Sequence, residues 1–206
     1  MFRIYCLDAN FSIGTAGPNS YRNSGDLAGS RSRFRIIAIH KLLFTCLAIL
    51  ATFCAASPTV AGPTLVAVAG DMVAGTIVVR TSERQLYLVL EGGQALRYSV
   101  GVGRADRQWI GTTAIARKYL QPNWAPPAAI RRDSPDLPAV IPGGSPANPM
   151  GAAAMTLFGG DYAIHGTNRP DSIGGFVSYG CIRMTNADIM DLFDRVGLGT
   201  PVIVTR

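Results

Sequence analysis

Residues 165–184, HGTNRPDSIGGFVSYGCIRM, put a histidine and a cysteine sixteen positions apart on a glycine-rich stretch. A thiol becomes a strong nucleophile when it ionises, and a neighbouring imidazole lowers its pKa and takes its proton. Cys181 and His165 are the residue types this chemistry needs. Gly174, Gly175 and Gly180 let the backbone turn tightly beside the sulfur, and the amides flanking Cys181 could face a developing oxyanion. Arg183 could bind a substrate carboxylate or brace the loop. A lone cysteine is also common as buried filler and a lone histidine as a hydrogen-bonded structural residue. Spacing alone does not decide between these readings.

The first third of the chain differs from the rest. Residues 10–30 are rich in Gly, Ser and Asn, followed by RSRFR, Lys41, the apolar run 42–54 (LLFTCLAILATFC) and the small residues AASPTVAG. A basic flank, an apolar core and small residues in that order predict a leader over residues 1–61, either a secretory signal cleaved near Ala61 or an uncleaved amino-terminal anchor. The apolar core is shorter than the roughly 20 residues of a membrane span. The leader holds six of the 19 basic and two of the 13 acidic residues, which leaves a net charge of +2 on the remainder. No basic stripe remains there to support nucleic-acid binding. Cys6, Cys46, Cys54 and His40 also fall in the leader, so the exported part would carry Cys181 and His165 alone of their kinds. One cysteine and one histidine are too few for a zinc site. A single cysteine in an oxidising compartment is either buried and inert or reactive.

The elements that must position these residues read as mainly β. TIVVR (76–80), QLYLV with Leu90 (85–90) and LRYSVGVG (96–103) predict three strands of an antiparallel meander, with EGGQ (91–94) as a hairpin connection. Residues 111–120 predict another strand. Residues 121–149 hold eight prolines, which exclude a regular central strand or helix interior and predict a long flap ordered around Trp124. YAIHG (162–166) predicts a strand ending at His165. Thr185 or Asn186 can cap a helix carrying Ile189, Leu192, Phe193 and Val196, stopped by Gly197 and followed by a last strand over 200–205.

Taken with its neighbours, the stretch around Cys181 resembles the catalytic signature of the L,D-transpeptidase family, the YkuD-type or ErfK-type domain of bacterial cell-wall enzymes. The motifs in order are LYLV, YSVGVG, Pro122-x-Trp124-x-Pro126-Pro127, IPGG, NPMG, IHGT and SYGCIRM, covering about Gly75 to the carboxyl end. The resemblance implies a catalytic domain over residues 75–206. Its fold would be a YkuD-like β-sandwich with a long proline-rich flap and one or two short helices. It implies Cys181 as the nucleophile and His165 as its base. Gly166 would orient the imidazole through its carbonyl, and the amides of Gly180 and Cys181 would receive the oxyanion. Arg183 and Ser178 match positions of the family's substrate-binding loop, and Tyr162 and Trp124 are weaker candidates for lining the cleft. Where many members have a second histidine, this chain has Tyr179. Any orienting or charge-stabilising role of that imidazole then falls to the phenol or is absent.

By the same resemblance the acyl donor is a peptidoglycan stem tetrapeptide that loses its terminal D-alanine, and Cys181 holds the remainder as a thioester. An amine on a neighbouring stem would give a 3-3 cross-link, an amine on an outer-membrane protein would give anchoring, and water would give carboxypeptidase activity. Independently of the resemblance, the proline-rich flap could exclude water from the thioester and favour transfer over hydrolysis. No metal or organic cofactor is implied, and carbapenems are expected to acylate the same cysteine. Localisation would be the periplasm or cell wall, with membrane contact only through an uncleaved leader. A hydrolase using the same residues and a non-catalytic wall-binding domain remain the alternatives.

Overall fold

The computed structural model describes residues 62–70, 72–159 and 162–206. The predicted leader lies outside the described residues. Eleven strands are described: β1 (Thr64–Ala67), β2 (Ile77–Arg80), β3 (Gln85–Val89), β4 (Gln94–Ser99), β5 (Val102–Gly103), β6 (Gly111–Leu120), β7 (Ala153–Leu157), β8 (Ala163–His165), β9 (Phe176–Ser178), β10 (Ile182–Arg183) and β11 (Pro201–Thr205). Two short helices join them, α1 (Ala128–Asp133) and α2 (Asn186–Arg195). Nine strands form one sheet in the order β1-β4-β3-β2-β11-β6-β7-β8-β10, and β5 pairs with β9 in a separate ribbon.

The predicted meander is present, with β2 antiparallel to β3 and β3 to β4. Leu86 and Leu88 alternate inward with Ile77 and Val79 facing the same core. The strand expected over 96–103 is interrupted instead. After Ser99 the chain leaves β4, and Gly101 exchanges two main-chain hydrogen bonds with Arg183 (2.9 and 2.8 Å) before β5 begins. That exchange fastens the meander to the segment carrying Cys181.

Two halves of the sheet meet at β6. Its first part pairs with β11 and its second with β7, and the register shifts between Ile115 and Arg117. Side chains from both halves, among them Ile77, Val79, Met155, Leu157 and Ile164, share one core with Ile189 and Leu192 of α2. This mainly β architecture, two half-sheets around a common core, agrees with the sequence expectation.

The α2 helix starts as predicted, with the Thr185 hydroxyl accepting the Asp188 N–H at 3.1 Å. At its other end Lys118 of β6 donates to the carbonyls of Phe193 (2.5 Å) and Val196 (2.7 Å). Those carbonyls would otherwise lack intrahelical partners, and a cation is favoured at a helix carboxyl end. Tyr98 of β4 donates to Asp191 at 2.6 Å, so α2 is pinned to both halves.

The proline-rich segment contains α1, which the sequence did not predict. The helix occupies 128–133, inside the longest proline-free interval of the segment, with Pro127 as its N-cap. Proline punctuates this helix at its start and does not enter it. Around it the flap has its own small core of Trp124, Ile130, Leu137 and Ile141, packed with Met150, Tyr179 and Cys181. Trp124 and Ile141 exchange main-chain hydrogen bonds at 2.9 and 2.7 Å. Buried Asn148 donates to the carbonyls of Pro122, Ile141 and Pro142 and accepts the Met150 N–H.

Candidate active site

His165 ends β8 and Cys181 immediately precedes β10, and these two strands pair in parallel with Ile164 opposite Ile182 and His165 opposite Arg183. Side chains two residues apart share a face, so Cys181 and Arg183 lie on the face that carries Ala163 and His165. The Ala163 N–H donates to the Cys181 sulfur at 3.3 Å. Both Cys181 and His165 are fully buried. Nucleophilic chemistry at this sulfur belongs to its reduced, thiol form.

The imidazole has a defined tautomer. Its Nδ1 is 2.5 Å from the Gly166 carbonyl, which can only accept, so Nδ1 carries the proton. Nε2 is buried, and among the described residues it has no hydrogen-bond partner. Burial depresses the His165 pKa first and the Arg183 charge second, to about 3, against the opposing pull of the Gly166 and Pro149 carbonyls. At neutral pH the ring is therefore uncharged, with Nε2 as a proton acceptor.

Three successive peptide planes around Cys181 are fixed by side chains. The Ser178 hydroxyl accepts the Gly180 N–H at 3.1 Å and donates to the Cys181 carbonyl at 2.6 Å. Between them, the Trp109 indole N–H donates to the Gly180 carbonyl at 2.9 Å. A trans peptide points its N–H away from its carbonyl, so Trp109 sets the direction of the Cys181 N–H. The turn also requires glycine: Gly180 has φ 118°, and a Cβ there would come within 2.4 Å of the Tyr162 ring. Tyr162 stacks on Trp109 with centroids 4.9 Å apart.

These bonds relocate several sequence candidates. The Gly180 N–H, expected to face an oxyanion, is taken by Ser178. Ser178, expected at the substrate, is fully buried and spends its hydroxyl within the loop. Trp124 lies in the flap's core at 1% exposure rather than along a cleft. Arg183 is likewise 1% exposed, beside His165, and bears on that ring through its charge. Tyr162 is half-buried at the loop, and the Gly166 carbonyl lies at Nδ1 of the imidazole.

Tyr179 packs in the flap's core, and its hydroxyl reaches α1. Its hydroxyl makes a short hydrogen bond to Asp133 at the end of α1. Arg104 lies over its ring at 4.3 Å. Burial and the Asp133 carboxylate raise the phenol's pKa, with Arg104 opposing, so the hydroxyl stays a donor. Sequence reasoning missed Trp109, Asp133 and Arg104. Their contacts cross 71, 46 and 75 positions, and no local pattern announces them. Among the described residues, no three His, Cys, Asp or Glu side chains converge as metal ligands.

A mainly β domain that sets a neutral imidazole and a cysteine on adjoining strands, under a side-chain-stapled turn, is thus defined by its geometry. Residues 74–204 match the model of the YkuD family, described as the L,D-transpeptidase catalytic domain, and the chain belongs to that family. It is 43% identical over 141 residues to a Salmonella typhimurium protein named "Probable L,D-transpeptidase ErfK/SrfK", covering 64% of this chain and 44% of that one. To the Escherichia coli K12 protein named "Probable L,D-transpeptidase YbiS" it is 40% identical over 141 residues, with 64% and 45% covered. The chain thus spans less than half the length of these curated relatives. The NMR structure of the catalytic domain of an Enterococcus faecium L,D-transpeptidase shares the fold, with a TM-score of 0.50 at 21% identity, covering 66% of this chain and all of that domain.

Proposed function

We propose that this chain is an L,D-transpeptidase acting on peptidoglycan stem tetrapeptides, with Cys181 as nucleophile and His165 as base. The observation that carries the reading is the His165 tautomer. With Nδ1–H committed to Gly166, only Nε2 can accept the thiol proton.

In the first half-reaction the reduced Cys181 sulfur attacks the carbonyl carbon of the third stem residue while Nε2 takes the thiol proton. The oxyanion is received by the Cys181 amide, which Trp109 aims through the Gly180 carbonyl. The imidazolium returns its proton to the departing nitrogen, the C–N bond breaks, and D-alanine leaves a thioester behind. In the second half-reaction an amine loses a proton to Nε2, attacks the thioester carbonyl, and expels the sulfur, which recovers a proton.

The acceptor amine is a neighbouring stem peptide, giving a 3-3 cross-link, or a lysine on an outer-membrane protein, giving anchoring. Export to the periplasm or cell wall through the 1–61 leader fits such a substrate. Mass spectrometry of the reduced full chain with disaccharide-tetrapeptide, beside Cys181→Ala, tests the reading. Loss of D-alanine with a linked dimer is expected, and neither in the variant. Loss without a dimer, even when a protein amine is supplied, would make the enzyme a hydrolase. Equal substrate binding by both proteins with no reaction would leave a wall-binding domain.

A further inference from the structure

The carbonyl that orients the His165 ring belongs to the peptide joining Gly166 to Thr167. The nitrogen of the same peptide is also held: the Thr167 N–H donates to Asn186 Oδ1 at 3.1 Å. That oxygen accepts the Ala152 N–H as well, at 3.0 Å. Its place is cramped on both sides. A Cβ on Gly151 would sit 2.2 Å from it, and one on Gly166 2.4 Å. Two glycines from separate turns thus leave room for one amide oxygen, and that oxygen fixes one peptide plane from the side opposite the imidazole.

We infer that Asn186, the first residue of α2, is a positioning residue for His165, acting through the Gly166–Thr167 peptide to hold the imidazole with its proton on Nδ1. The assignment rests on the reading of His165 as the base. It goes beyond it by placing the origin of the ring's orientation on the segment that carries Cys181. Asn186 follows the sulfur by five residues, so one stretch of chain presents the nucleophile and sets the tautomer of its base. If the peptide rotated, the Gly166 carbonyl would turn from Nδ1, and both tautomers would be populated. The tautomer with its proton on Nε2 cannot accept from a thiol through that atom.

The test uses the reduced full chain with a His40→Gln change, so that one histidine remains, labelled with ¹⁵N in the ring. Ring-nitrogen shifts distinguish the tautomers at pH 7. The parent is expected to show the Nδ1–H form and Asn186→Ala a mixture. Asn186→Asp keeps an oxygen for both amides and should restore the Nδ1–H form. Acylation of Cys181 by disaccharide-tetrapeptide should slow about tenfold in Asn186→Ala and recover in Asn186→Asp, part of the roughly 10²–10⁴-fold that a placed base contributes. A single Nδ1–H form in Asn186→Ala would overturn the inference, as would failure of Asn186→Asp to restore it. Should Asn186→Ala not fold, Asn186→Ser, whose hydroxyl is too short to reach both amides, is read by the same criterion. Tautomers are observed without turnover. Failure of the transpeptidase reading would therefore appear as no acylation in any variant, with the tautomer pattern intact.

Discussion

Sealing an imidazole from water beside a guanidinium makes it hard to protonate, and His165 bears both penalties. Its folded pKa of about 3 lies below the ordinary 6.5. The unfolded chain therefore binds the proton first as the pH drops. The stability this neutral ring contributes is complete above pH 6.5 and is lost as pH falls toward 3, at up to about 1.4 kcal/mol per pH unit. Urea unfolding of the parent and His165→Gln at pH 7, 6, 5 and 4.5 should show the parent losing stability relative to the variant in each step down. A constant difference would mean that the ring titrates alike in the folded and unfolded chain. Of the site's residues, this one and Cys181 were the most legible in the sequence, because their types are scarce and their chemistry is specific. Trp109 and Asn186 were not. Each contributes through a main-chain group remote in sequence, and nothing in the local composition marks a residue whose partner is a peptide plane.

Among the elements, the flap and its α1 helix are tied to the turn around Cys181 by the Tyr179 hydroxyl and Asp133. Tyr179→Phe removes that bond and leaves the ring beneath Arg104. Asp133 is exposed, so the bond is worth about 1 kcal/mol, which corresponds to about fivefold in the balance between a docked and an undocked flap. Acylation by the tetrapeptide should persist in this variant, and hydrolysis of the thioester should rise severalfold relative to transfer, as read from the ratio of linked dimer to tripeptide. An unchanged ratio would separate the flap from water exclusion. Proline density had signalled a long ordered flap correctly, yet it concealed α1, because prolines bound a short helix as readily as they forbid one. The strands β9 and β10 were hidden for a related reason. They are three and two residues long, and their pairing is dictated by distant partners rather than by alternation along the chain.

At the scale of the molecule, the last strand to be made is internal to the sheet. β11 lies between β2, to which it is parallel, and β6, to which it is antiparallel, with Val202 and Val204 buried. Removing residues 201–206 should abolish cooperative thermal unfolding followed by circular dichroism. It removes two buried valines, each contributing about 1.5–3 kcal/mol, and strips both neighbouring strands of their ladder, against a total stability of about 5–15 kcal/mol. A sharp transition in the truncated chain would show that the two half-sheets stand without it. The sequence supplied the hairpin-linked strands, where alternation and turn residues lie close together. It did not supply the joining of β2 to β11, which is a pairing across most of the domain.

Residues 178–186 form a compact inheritance. The sulfur, the hydroxyl that staples its turn and the amide that reaches the histidine's peptide all travel on nine consecutive codons. Recombination could carry that cassette between homologous genes in one event. Its dependencies would stay behind: an indole at 109 to meet the Gly180 carbonyl, and glycines at 151 and 166 to admit the Asn186 oxygen. A recipient lacking any of them would gain the sulfur without the contacts that hold its turn and the histidine's peptide in place.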